Sequence, residues 1–135
     1  MDTTTALDVS ARGMEAQTTR LRVIAENLAN QDTTGSSPNA DPYRRKTVEF
    51  ANEVDRASGV PMVAVKRVAE DQSALPLKYD PSHPAANADG YVRTPNVNAF
   101  VELMDMKEAQ RSYSANLTMM QTTRSTAFRT LEMLK

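Results

Sequence analysis

Residues 98–135 carry a seven-residue repeat that restricts what this chain can become. With Leu103 taken as an a position, the a series is Leu103, Gln110, Leu117, Arg124 and Leu131, and the d series is Met106, Tyr113, Met120, Ala127 and Leu134. Eight of these ten side chains are apolar or aromatic. Their alternating spacing of three and four is that of a helix seam buried against another helix. A continuous helix over this segment would be about 55 Å long, well beyond the ~10–14 residues usual in globular proteins. Asn96 or Asn98 is placed to cap it, with Glu102 in the first turn. Such a helix cannot cover its own seam, so it needs a partner.

The partner is present near the other end of the sequence. Residues 5–30 predict a second long helix, opened by Thr5 and Asp8 in the spacing of a capping box. Leu7, Met14, Leu21 and Leu28 fall seven apart and form one stripe, assigned to intrachain pairing with Leu103, Met106, Tyr113, Leu117, Met120, Leu131 and Leu134. Val9, Ala16 and Val23 form a second stripe, about 200° away at 100° per residue. Two apolar faces predict a sandwiched helix, with the second face open to other subunits. On that expectation Val23→Glu spares the subunit and blocks assembly. Met119 and Met133, off the C-terminal seam, read either as a weaker second face or as isolated exposed side chains. Gly13 either allows close backbone approach or is tolerated at a cost of up to ~1 kcal/mol against alanine.

Between the helices the pattern changes. Residues 30–42 are dense in turn formers and predict an exposed loop. Short strands are expected over 43–50, 60–68, 75–79 and 91–94, the third with Pro76 on an edge and the last after an Asp89-Gly90 turn. Arg44-Arg45-Lys46 reads as a solvated basic patch or as a surface for an acidic partner. Domain organisation follows: residues 1–30 and 96–135 as the two helices of one helical unit, and 31–95 as a loop and small β-rich insert. The fold class is α+β, an antiparallel coiled-coil-like helix pair with both chain ends at one end and the insert at the other.

Composition narrows the function. Aromatic content is only 5%, which suits elongated packing better than a thick core. Sixteen basic and seventeen acidic residues are spread along the chain without a basic stripe, giving no electrostatic support for nucleic acid or an anionic membrane. No cysteine is present, which excludes disulfides, thiolate metal sites and a cysteine nucleophile. Neither a cleaved signal nor a membrane-spanning segment is expected. The sole histidine, His83, stands in a turn-rich stretch, and no phosphate loop or hydrolase motif occurs. Asn116-Leu-Thr118 matches a glycosylation triplet but lies inside the predicted helix. Catalytic, cofactor-binding and metal sites are therefore not expected, nor is an enzyme.

Gln110 and Arg124 interrupt the predicted seam. Either they pair with particular groups across it and fix register, or their long stems reach out to solvent. A single helix pair buries one stripe per helix against a backbone ordering cost of ~1–2 kcal/mol per residue, so an isolated subunit should be marginal. Packing the second faces against identical or related subunits completes the structure, and a non-closing version of that packing gives a helical tube. The rival reading is a cytoplasmic helical adaptor or export chaperone that holds a partner helix in the groove between its own two.

Particular motifs favour the tube. Ala11-Arg-Gly-Met-Glu-Ala-Gln17 and Ile24-Ala-Glu-Asn-Leu-Ala-Asn30 resemble the N-terminal signature of bacterial flagellar axial proteins. Pro42-Tyr-Arg-Arg-Lys46, Tyr79-Asp-Pro-Ser-His-Pro84, Asp89-Gly-Tyr-Val92, Pro95-Asn-Val-Asn98, Val101-Glu-Leu-Met-Asp-Met106 and Ser112-Tyr-Ser-Ala-Asn116 are similar to the proximal-rod members of that family. Ser114 and Lys107 depart from the acidic and apolar residues expected there. The resemblance implies a structural rod subunit in the basal body, spanning the periplasm and transmitting torque. It implies export unfolded by the flagellar type III apparatus without a cleaved signal peptide. The implied partners are further copies, the other proximal-rod proteins, the MS-ring protein and the rod-to-MS-ring adaptor. Asn27 and Asn30, in the signature, join Val9, Ala16, Val23, Met119 and Met133 as expected subunit–subunit contacts.

Overall fold

The computed structural model describes residues 2–134. Helix α1 runs Thr3–Ala29 and helix α2 runs Ala99–Met133; between them lie strands β1 (Lys46–Val54), β2 (Pro61–Glu70), β3 (Leu77–Tyr79) and β4 (Tyr91–Arg93). Lys135, to which the sequence extends the last helix, lies outside the described residues. The α+β reading holds, with two long helices flanking a small β insert.

The helices are antiparallel. Asn27 meets Glu102, Arg20 reaches Asp105 and Glu108, and the backbone of Gly13 faces the Asn116 amide. Asn98 caps α2, its side chain accepting from the N–H groups of Phe100 and Val101 at 3.0 and 3.3 Å. Asn96 has a different task. Its Oδ1 accepts from the Arg45 N–H, and its Nδ2 donates to the Asp71 carbonyl and the Ser73 hydroxyl. At the start of α1 the expected capping box is replaced: Asp2 is the capping position, without a side-chain bond, and Thr5 lies inside the helix. Asn30 closes α1, its Nδ2 donating back to the Glu26 carbonyl at 2.8 Å.

β1 and β2 form an antiparallel hairpin, and β3 and β4 a second, shorter one. The first begins three residues later than the expected strand and runs on to Val54. Pairing with the Val-rich β2 carries Ala51, Asn52 and Glu53 into the ladder, although their own preference is weak. A register shift between Glu49 and Phe50 bends the hairpin. Its turn is built on Asp55, whose carboxylate accepts from the Ser58 N–H and hydroxyl, followed by Gly59 at φ +68. The second ribbon turns at Gly90, φ +84, with Tyr79 and Tyr91 edge to face at 5.3 Å beside it.

The β1–β2 hairpin lies along α1, with the start of β1 beside Glu102 and Asp105 at the start of α2. Met62 sits beside Asp8, Ala11 and Arg12, while Val63, Ala64 and Val65 sit beside Ala16 and Thr19. α1 is thus the central element, covered by α2 on one side and by the hairpin on another. No helix among the described residues is long and apolar enough to cross a membrane.

Candidate assembly interface

The seam between the helices combines small and polar side chains with Ile24 and a few large residues of α2. On α1 it follows Ala6, Ser10, Gly13, Gln17, Arg20, Ile24 and Asn27; on α2 it follows Glu102, Met106, Ala109, Tyr113, Asn116, Met120, Thr123 and Ala127. Both series alternate steps of three and four, and all these side chains are buried or half-buried. Ala109 and Glu102 have no exposed surface. Close approach explains the small residues. A Cβ on Gly13 would come 2.7 Å from the Asn116 amide, which itself donates to the Ser112 carbonyl.

On α2 the expected d series is kept through Ala127, but the other half of the seam stands one residue before the expected a series. Met106, Tyr113 and Met120 belong to the seam, with Ala127. Leu103, Gln110, Leu117, Arg124, Leu131 and Leu134 do not. Leu103 is 50% exposed, Leu117 38% and Leu131 59%. Gln110 and Arg124 therefore incur no burial cost and fix no register, and the Arg124 guanidinium lies over the exposed Phe128 ring. On α1 the expected pairing stripe of Leu7, Met14, Leu21 and Leu28 is half-buried on the flank. It follows Ala6, Gly13, Arg20 and Asn27 by one residue. The stripe assigned to other subunits is instead occupied within the chain. Ala16 and Val23 are each 2% exposed and half-buried Val9 shares their side of α1, which is the side the hairpin covers. Asn27 has no exposed surface, and Asn30 is half-buried as the helix cap. Ala16, Val23 and Asn27 are thus not available to a neighbour. Met119 and Met133 remain exposed.

A one-residue offset turns a side chain about 100° around the helix axis. Because the helices are antiparallel, the same offset brings both displaced stripes to one side of the pair. Leu7, Met14, Leu21 and Leu28 thus share a face with Leu103 and Leu117. The hairpin lies against the other side of α1. The leucines are turned to this face, while Ser10, Gly13 and Ala109 in the seam let the helices meet.

The insert end of the pair is held by a buried polar cluster. Asn27 uses all four valences of its amide: Oδ1 accepts from the Tyr43 hydroxyl at 2.8 Å and the Lys46 N–H at 2.9 Å, and Nδ2 donates to the Lys46 carbonyl at 2.8 Å and Glu102 Oε2 at 3.1 Å. Arg45 Nε donates to Glu102 Oε1, and its Nη atoms reach Asp105 and Asp71. Burial pulls the Arg45 guanidinium down, but the Glu102 hydrogen bond and the surrounding carboxylates outweigh it and leave it above its ordinary value. Lys46 pairs with Glu26 at 3.1 Å, and that hydrogen bond holds the Glu26 carboxyl below the usual range. Arg44 donates to the carbonyls of Asp71 and Ser73. The Arg44-Arg45-Lys46 run is therefore engaged within the chain rather than a freely solvated patch.

Comparison with known proteins settles the family. Residues 7–35 match the family described as flagella basal body rod protein, and residues 88–133 match flagellar basal body rod FlgEFG protein C-terminal. The chain is 48% identical to the flagellar basal-body rod protein FlgC of Agrobacterium fabrum, covering 96% of this chain and 94% of the relative. It is 38% identical to the Bacillus subtilis FlgC, covering 96% and 97%, and 40% identical to that of Salmonella typhimurium, covering 92% of each. The chain belongs to the FlgC family of flagellar basal-body rod proteins. It is a structural subunit of the flagellar basal-body rod, and the two matched regions fall mainly on its two helices.

The tight crossing offers a direct check. Gly13→Ala gains up to ~1 kcal/mol of helix propensity but places its methyl against Asn116. In the Asn116→Ala background that gain should appear in full; in the natural sequence it should be cancelled or reversed. A double-mutant cycle by urea unfolding should give a coupling of about 1 kcal/mol between the two positions.

Proposed function

We propose that the subunit acts as a stave of the proximal rod, packing through the open stripe of its helix pair. Leu103 and Leu117, with half-buried Leu7, Met14, Leu21 and Leu28, present a seven-residue repeat to a neighbouring helix. A neighbour that seats there converts two paired helices into a layer, and exposed Met119 and Met133 lie free for further contacts. The single observation that supports this reading is the outward turn of the large apolar residues on both helices to one common side.

The physical consequence is stiffness. A rod that transmits torque from the MS ring toward the distal rod must resist shear, and sliding one helix past another exposes apolar surface at ~25 cal/mol per Å². The partners in this reading are further copies of the chain, other proximal-rod proteins, the rod-to-MS-ring adaptor and the MS-ring protein. The chain reaches them across the periplasm after passage through the flagellar type III export apparatus. The β insert gives contacts specific to a layer, and catalysis has no part in the role. A strain lacking its own subunit, supplied with this chain, should regain rods and swimming. Export of the chain without rod formation would contradict the assignment.

A further inference from the structure

We propose that the loop after α1 is clamped to the second ribbon, and that His83 holds it there as one neutral tautomer with the ring proton on Nε2. The tautomer follows from the partners. His83 Nδ1 lies 3.0 Å from the Ala85 backbone nitrogen, whose N–H can only donate, so Nδ1 is the acceptor. The proton of the neutral ring is then on Nε2, which donates to the Thr34 hydroxyl at 3.2 Å. One ring thus closes the turn after β3 and also reaches a loop 49 residues away along the chain.

The loop is shaped to be held. Its ends meet where the Tyr43 N–H donates to the Thr33 carbonyl at 3.0 Å. It narrows where Gly35 faces the Ala40 carbonyl, a contact that leaves no room for a Cβ. Closure of this kind makes a compact loop of fixed shape. Arg93 of β4 supplies a second attachment, Nη1 donating to Asp41 at 2.8 Å and Nη2 to the Ala40 carbonyl at 3.4 Å. His83 and Arg93 therefore grip both limbs of the loop, Thr34 on the way out and Ala40 with Asp41 on the return. None of these groups belongs to α1 or α2. The loop and the second ribbon form a frame whose shape does not depend on how the helices pack, with His83 as a positioning residue in it. This inference stands apart from the proposed rod contact.

The chain has a single histidine, so ring-nitrogen NMR of the full chain reports this site alone. At about pH 8.5, where histidine rings are neutral, it should show one tautomer, with an Nε2 proton retained long enough to be observed. A ring averaged over both tautomers would overturn the assignment. Thiol labelling in isolated basal bodies tests the clamp, using Ala40→Cys in the half-buried part of the loop or Ala85→Cys in the buried turn. Thr34→Val removes the acceptor alone. It should speed labelling at 40 by about threefold or more, the effect of one lost hydrogen bond, without change at 85. His83→Asn keeps an oxygen that can accept from the Ala85 N–H, as in an Asx-turn, but has no donor to Thr34, so it should give the same pattern. Both changes together should do no more than either alone. An unchanged rate at 40 in both variants, or effects that multiply in the double variant, would overturn the clamp.

Discussion

Replacing Val23 with glutamate should unfold the isolated subunit. Val23 is 2% exposed, on the side of α1 covered by the hairpin. Removing it forfeits about 1.5–3 kcal/mol of side-chain burial, and an unpaired buried carboxylate adds a comparable or larger loss of ~3–5 kcal/mol. The sum approaches the whole stability of a small domain, ~5–15 kcal/mol. Circular dichroism of the purified variant should show lost helix and no cooperative melt, and the soluble yield should fall. The opposite result, a folded subunit that fails only in assembly, is what the sequence reading of Val23 as an outward contact requires. A normal melt would place Val23 outside the core.

Leu117→Glu should do the reverse. Leu117 is already 38% exposed, so a glutamate there should change the melt of the free subunit by only a few degrees, within the ~0.5–1 kcal/mol typical of surface substitutions. In the rod the same carboxylate would be buried against a neighbour without a partner, which costs several kcal/mol at every copy. The amount of variant recovered in purified basal bodies should drop at least about tenfold, and swimming should stop. Retained fold with lost assembly is the signature of a contact surface. Val23→Glu and Leu117→Glu thus separate the two faces of the subunit by their opposite effects on the free chain.

The repeats were legible from the residues alone, and so were the two long helices and the existence of two faces on α1. The assignment of those faces was not. Apolar periodicity ranks side chains by size, so it gave the seam to Leu103, Leu117 and Leu7. The actual seam selects residues that let backbones meet: Gly13, Ala109 and Ser10, each of which looks unremarkable in a pattern count. Asn27 and Glu102 are buried yet polar, and polarity reads as surface until a partner is known. One signal was available. Gly13 lies fourteen residues from Asn27 and Asn116 fourteen from Glu102, so the two unusual pairs match in an antiparallel register. The second apolar face was real, but the chain supplies its own cover in β1 and β2. Strand limits were missed where pairing, as at Ala51 to Glu53, outweighs local preference.

The absence of cysteine makes the central claim open to a direct chemical measurement. A cysteine at Leu117, on the open stripe, or one at Glu15, exposed on α1, can each be combined with a cysteine at Leu21 and treated with a short thiol crosslinker in isolated basal bodies. The account predicts that 117 with 21 couples adjacent copies efficiently, while 15 with 21 gives little product. Efficient coupling from 15 with none from 117 would contradict it.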